Sequence, residues 1–317
     1  MCLILFPKRR IVKDFASNRR ALPPAPERRE LKSRRHASGK KSVTTRNGSG
    51  EPRTGSEMND RFEARPQREK ILNLPGEVTA LLAVLAAIQF ALGALPGATV
   101  SEIFSALAFV PGRISIVLAP DAFMRSIAGQ LAPGVEAGDI AEALGAERLP
   151  WWTFVTYALL HANWTHLAVN GVTLAAFGSP LARRFGAARF LAFLALTAAA
   201  GAAAHFAIHP FDLGPVVGAS AAISGTMAAS ARFAFAQDSR IGAPYASRRA
   251  SSLAELWSNR RALAFVGLWF AANLIFGLFP GAAGSTEQIA WEAHVGGFVA
   301  GLLLFGAFDR RREGGRE

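Results

Sequence analysis

The chain has 317 residues, of which 51% are hydrophobic and 18% charged, and its mean hydropathy is +0.23. That composition excludes a water-soluble domain folded around one core. The formal net charge of +12 does not point to nucleic acid, because residues 1–70 hold 19 Lys and Arg against 8 Asp and Glu, leaving the rest close to neutral.

In chain order, the first element is a polar tail from about Met1 to Pro75. It contains Pro23-Pro24-Ala25-Pro26, scattered Arg pairs, Ser and Gly, and almost no hydrophobic periodicity. A segment of this kind buries too little apolar surface to offset the entropy of ordering, so it is expected to be disordered. Leu3 to Phe6 is too short for a signal h-region, and the basic cluster follows it rather than preceding it. Met58 is an alternative start, since Met58-Asn59-Asp60-Arg61 opens a basic lead-in of ordinary length. Cys2, in the tail, is the only cysteine, so the rest of the chain has no disulfide, thiolate ligand or cysteine nucleophile.

Six apolar runs follow, at about Val78 to Leu95, Trp164 to Leu181, Arg189 to Ile208, Val216 to Ala236, Leu263 to Phe279 and Ile289 to Phe308. Runs of roughly 18 apolar residues predict membrane-crossing helices, hence an all-α polytopic membrane protein with six spans. A long connection, about residues 96–150, separates the first two. Basic residues prefer the cytoplasmic side. Arg183, Arg184 and Arg189 lie between spans two and three, Arg240, Arg248, Arg249, Arg260 and Arg261 between four and five, and Arg310 to Arg312 after six. The long connection instead carries Glu102, Asp121, Glu136, Asp139, Glu142 and Glu147. Both termini are therefore expected in the cytoplasm, with residues 311–317 as a short C-terminal tail.

Spans two, four and six then run from outside to inside, and each carries polar residues near its outer end. At about 1.5 Å per residue, Asn170, Ser220 and His294 lie at a similar depth, roughly 6 to 10 Å below the outer face. Polar groups are costly inside a membrane, so they mark a candidate functional site. His166 and Asn170, four apart, share one helix face and can converge on a single oxygen, as an oxyanion hole requires. Ser220 at a helix mouth can add its backbone N–H, and His294, from another helix, can accept the hydroxyl proton. Gly297 to Gly301 forms a small-xxx-small pattern, and Ser220 to Gly225 is small along one side, which allows close backbone approach. Taken singly, these residues have blander readings: a serine bonded to a carbonyl one turn back, or a His or Asn that glues helices together. Asn273, Gln89, Ser224 and Ser230 are read in that bland way, as packing contacts, and Arg183 and Arg184 as anchors at the inner interface. His205 and His209 are four apart but lack the glutamate of a His-Glu-x-x-His pattern, so no metal is expected there.

In combination, His161-xxxx-His166-xxx-Asn170, Gly218-Ala219-Ser220 and Ala293-His294-Val295-Gly296-Gly297 resemble the rhomboid intramembrane serine proteases of the basic six-helix kind. The resemblance covers about residues 76–310. It implies Ser220 as nucleophile, His294 as general base without an acidic third member, and His166, Asn170 and the Ser220 amide as oxyanion donors. His161, Gly218 and Gly297 take supporting parts. It further implies a partly helical outer loop lying sideways in the outer leaflet, a lateral entrance near span five with small packing residues Gly267, Ala271 and Gly277, and substrates that are transmembrane segments of other proteins. No cofactor, metal or nucleic acid is expected, membrane lipid is, and the bacterial inner membrane is the expected location.

Three positions depart from the family pattern. Ala221 stands where glycine usually follows the nucleophile, Trp152-Thr153 replaces a Trp-Arg pair, and Ser224 occupies an often aromatic position. Ala221 supports an alternative: a catalytically inactive rhomboid-like protein that binds membrane clients.

Overall fold

A computed structural model describes residues 73–130, 136–146, 148–236, 248–278 and 290–309, and the statements below concern these residues. The tail before Asn73, with the alternative start at Met58, and the residues after Asp309 lie outside them. From Leu74 onward the described residues belong to one compact unit.

Helix α1, Gly76–Ala94, begins directly after Pro75. The connection behind it is largely helical: α2 (Gly97–Leu107), α3 (Pro111–Leu118), α4 (Pro120–Ile127) and α5 (Ala137–Ala143). Pro111 and Pro120 open α3 and α4, where the missing N–H costs nothing. Glu136 and Asp139 form a reciprocal capping box on α5. Arg113 ties these short helices together by donating to the carbonyls of Ser105 and Gly145. Trp152 Nε1 donates to the Ala106 carbonyl at 2.8 Å, and Thr153 Oγ1 to that of Pro150 at 2.7 Å. The Trp-Thr departure therefore has its own hydrogen bonds.

After α6 (Thr153–Thr156) and a 3₁₀ turn at Tyr157–Leu159 comes α7 (Trp164–Thr173). It passes through a π turn, Leu174–Gly178, into α8 (Ser179–Phe185). The π turn precedes Pro180, which has no N–H to offer an α-helical acceptor and whose ring crowds the preceding turn. Helix α9 is Ala187–Ile208, α10 is Ser220–Ala234, α11 is Leu253–Ser258, α12 is Arg260–Leu278 and α13 is Trp291–Phe308. No strand occurs among the described residues, where one antiparallel bridge joins Phe109 and Val216.

Among the described residues, three helices are long and apolar enough to cross a membrane: α1, α9 and α13. Two of the other three expected spans differ from simple long helices for local reasons. The second is a helical run divided by the π turn. The fourth becomes helical only at Ser220, because Val216 is committed to the bridge and Gly218 has a φ of 116°. The fifth, α12, is a continuous helix of 19 residues that opens on Arg260 and Arg261 and runs up to residues outside the described set.

Helices α9, α10 and α13 form the centre, and small side chains bring them together. A Cβ on Gly297 would strike the Ala221 carbonyl, and one on Gly301 the Gly225 carbonyl, so α13 lies backbone to backbone against α10. On its other side, a Cβ on Gly296 would meet Ala204 and the Ala200 carbonyl of α9. Close approach of this kind is how helices associate where no hydrophobic force separates them from lipid. Many large apolar side chains on the outer helices point outward, with Phe90 71% and Leu268 73% exposed. Such a surface suits hydrocarbon rather than water, and the protein is an integral membrane protein.

At the end of the bundle away from Ser220, Arg184 and Asp309 make an ion pair at 2.7 Å, with both side chains about 2% exposed. The guanidinium also lies over the rings of Phe233 and Phe305. Arg184 is therefore an interior clamp between α8 and the end of α13, not the interface anchor expected from sequence.

Candidate active site

The loop between α9 and α10 determines how Ser220 is presented. Val216 exchanges both backbone hydrogen bonds with Phe109, and the Gly218 N–H donates to the Tyr157 carbonyl at 3.0 Å. The chain then turns through the positive φ of Gly218, a conformation that suits glycine. A side chain is excluded there on a second ground, since a Cβ would lie 2.7 Å from His166 Cε1 and Nε2. Helix α10 begins two residues later with Ser220, whose backbone N–H belongs to a first turn without intrahelical acceptors.

The serine hydroxyl faces α13. Its Oγ is 2.7 Å from His294 Nε2. On the far side of the imidazole, Nδ1 is 2.5 Å from Asn273 Oδ1 on α12, and Asn273 Nδ2 donates to the Trp269 carbonyl at 2.8 Å. These bonds set a direction. With its amide nitrogen spent on Trp269, Asn273 offers an oxygen to His294, so Nδ1 carries the proton and Nε2 is left to accept from Ser220. Three helices thus converge in one chain of hydrogen bonds, Ser220 to His294 to Asn273. The packing role expected for Asn273 is corrected: its carbonyl is spent on the imidazole. The only sequence signal was an amide within an apolar run.

His166 and Asn170 lie on the other side of the Gly218 turn. Asn163 caps α7, its side chain accepting the His166 N–H at 2.8 Å, and this fixes the turn on which His166 sits. Asn170 is 5% exposed, and its Nδ2 has no hydrogen-bond partner among the described residues. A Cβ on Gly218 would stand 3.8 Å from that nitrogen. A buried amide donor without a partner calls for an explanation, and here it is near the segment that carries the serine. His161 is 1% exposed and packs edge-on to the His166 ring, with centroids 5.2 Å apart. Gly297, on α13, lies under the Ala221 carbonyl. All seven residues singled out from sequence, His161, His166, Asn170, Gly218, Ser220, His294 and Gly297, therefore belong to one neighbourhood.

Ala221 has a complement that sequence did not show. A Cβ on Gly201 of α9 would fall 2.6 Å from the Ala221 methyl, so the extra carbon beside Ser220 occupies space that a glycine across the interface leaves. Ser224 Oγ donates to the Ser220 carbonyl at 2.8 Å, back along the helix. Of the three small residues expected to pack around α12, Gly277 lies against Trp291, whereas Gly267 faces open space. The packing part expected of Gly267 does not hold, because its position on α12 points away from the neighbouring helices.

Two histidines and a carboxylate gather beside this site. Glu292, two residues before His294, reaches His209 Nε2 at 2.8 Å. The missing glutamate of the local His205 and His209 pattern is thus supplied from α13.

Comparison with known proteins places the chain in a group. The rhomboid domain family matches residues 148–311. The rhomboid-type protein YdcA of Bacillus subtilis (strain 168) is 39% identical over 82 residues, which are 26% of this chain and 41% of YdcA. The rhomboid protease GluP of the same organism is 27% identical over 164 residues, 52% of this chain and 27% of GluP. The chain thus spans less than half the length of either relative.

Proposed function

The chain belongs to the rhomboid family, and from that premise we propose that it is an intramembrane serine endopeptidase that cleaves transmembrane segments of other membrane proteins. The observation that carries this reading is the 2.7 Å approach of Ser220 Oγ to His294 Nε2, between helices that begin at the same end of the bundle.

In the proposed reaction, Ser220 Oγ attacks the scissile carbonyl while His294 Nε2 takes its proton. The tetrahedral oxyanion forms against Asn170 Nδ2, the His166 ring and the Ser220 N–H, donors held in place before charge develops. The imidazolium, stabilised at Nδ1 by Asn273, returns the proton to the leaving amine. Water, activated by the same histidine, then releases the acyl group. Asn273 is a positioning residue here, and His161 steadies His166 through ring contact. A substrate helix has its carbonyls engaged in hydrogen bonds and must unwind locally before attack. Segments with Gly, Pro or small residues near the site are therefore the preferred class.

The membrane domain, residues 76–310, comprises six spans: α1, the α7 to α8 run, α9, α10, α12 and α13. Residues 96–150, whose described part is largely helical and tied to the α9–α10 loop, are the long outer loop. Both termini are cytoplasmic and the membrane is the bacterial inner membrane. The basic tail, residues 1–75, meets the anionic lipid of that side, and residues 311–317 lie on the same side.

The rival reading, a silent client-binding protein, leaned on Ala221. The space left by Gly201 opposite its methyl favours the active one. A fluorophosphonate label separates them. Covalent labelling of the wild type, abolished in Ser220→Ala together with cleavage of a model transmembrane substrate, is the expected result. An unlabelled wild type, or cleavage undiminished in Ser220→Ala, rejects the peptidase.

A further inference from the structure

At the end of the bundle where Ser220 lies, His205 and His209 at the end of α9 meet Glu292 in the first turn of α13. One ligand atom from each lies within 4.8 Å of the other two. His209 Nε2 is 2.8 Å from Glu292 Oε1, and His205 Nδ1 is 3.5 Å from Glu292 Oε2. The proposed peptidase chemistry uses none of these groups.

A simple ion pair accounts for only part of the arrangement. Glu292 is 7% exposed and needs a partner, which His209 provides. His205 is 5% exposed, yet neither of its ring nitrogens makes a hydrogen bond of good geometry. A buried imidazole placed so is under-satisfied. Its Nε2 stands 4.0 Å from Asp212 Oδ2, and the other oxygen of Asp212 is held by the Gly214 N–H at 2.9 Å. One nitrogen of His205 therefore faces the Glu292 carboxylate and the other faces a second carboxylate.

The three side chains could together hold a metal ion. Two imidazoles and one carboxylate, with a fourth position open to water, form a donor set that Zn²⁺ favours. Tetrahedral ligands at about 2.0 to 2.2 Å from the ion stand roughly 3.3 to 3.6 Å apart, close to the 3.5 Å between His205 and Glu292. A carboxylate behind the far nitrogen of a ligating histidine fixes its tautomer and orientation, the part Asp212 can take after a small side-chain rotation. We propose that His205 Nδ1, His209 Nε2 and Glu292 bind one divalent cation of the Zn²⁺ class, with Asp212 supporting His205. The ion clamps α9 to α13 two residues before His294. The local spacing of His205 and His209 gave no reason to expect a metal, because the carboxylate lies 83 residues further along the chain.

The test uses the full-length protein in detergent, stripped with a chelator, dialysed against ZnCl₂ and analysed by plasma mass spectrometry beside His209→Ala. The His209 side chain is 45% exposed, so its removal leaves the core intact. Cys2 and His36 in the tail are present in both samples and cancel. The wild type is expected to hold about one more Zn²⁺ per chain than the variant, as a single three-ligand site requires, and its thermal unfolding temperature to rise on adding Zn²⁺ while that of the variant does not. Glu292→Gln, close in shape but a poor ligand, is expected to behave like His209→Ala. Equal zinc content in wild type and His209→Ala overturns the proposal, as does an equal thermal shift in both.

Discussion

Replacing Asn273 by leucine tests the hydrogen-bond chain at its least anticipated link. Leucine keeps the branched shape but removes the oxygen that stands 2.5 Å from His294 Nδ1. In the resting state the loss is one neutral bond of about 0.5 to 1.5 kcal/mol. As Ser220 attacks, the imidazole becomes a cation and the same bond becomes one to a charged group, about 1.5 to 3 kcal/mol. The loss therefore falls mainly on the transition state. Only the difference between the two, about 1 to 1.5 kcal/mol, raises the barrier, so at about 1.4 kcal/mol per decade kcat is expected to drop roughly 5- to 12-fold. A positioning role predicts that KM stays within about twofold, the pattern of an interaction that is stronger in the transition state than in the ground state. Asn273→Asp, which retains an acceptor, is expected to recover most of the lost rate. The assay is steady-state cleavage of a transmembrane substrate in proteoliposomes, with thermal unfolding measured alongside. A leucine variant with wild-type kcat, or one whose lost activity tracks lost folding and is not recovered by aspartate, refutes the positioning role.

Other expectations concern the same neighbourhood. Asn170→Ala should lower kcat by about a hundredfold or more without a matching loss of stability, measured in the same assay, because it removes an oxyanion donor. Gly201→Ala should destabilise the protein by about 1 to 3 kcal/mol through overpacking, read from thermal unfolding. Adding Ala221→Gly should restore part of that loss, the Ala293 carbonyl remaining as a second obstacle; strict additivity of the two changes would show that their methyls do not meet. Arg184→Met should cost about 3 to 5 kcal/mol by leaving Asp309 as a buried unpaired charge. Asp309→Asn in the same background should recover some of it.

The apolar runs and the polar motifs within them were legible because both depend on local spacing. Membrane insertion requires a length of apolar chain, so spans announce themselves in sequence. His166 and Asn170 are four apart on one helix, and Gly218 and Ser220 lie in one turn, so their relation needs no tertiary information. Gly297 was legible for a related reason, since a glycine repeat on a helix face shows where another backbone can come close. The breaks in spans two and four were less visible. They arise where Pro180 meets a continuing helix and where Val216 pairs with Phe109, more than a hundred residues earlier.

Sequence alone, then, determined the helical class, the family resemblance and the candidate serine, base and oxyanion donors, because each rests on residue type and short-range periodicity. Only the tertiary structure decided what each of these groups touches. Asn273 faces His294 because α12 packs beside α13, Gly201 leaves space for Ala221 because α9 crosses α10 there, and Glu292 completes the His205 and His209 pair across the α9–α13 contact. Each of these partnerships joins residues distant in the chain whose types carry little signal on their own. Their meaning comes from three-dimensional proximity, which helix packing sets and periodicity does not encode.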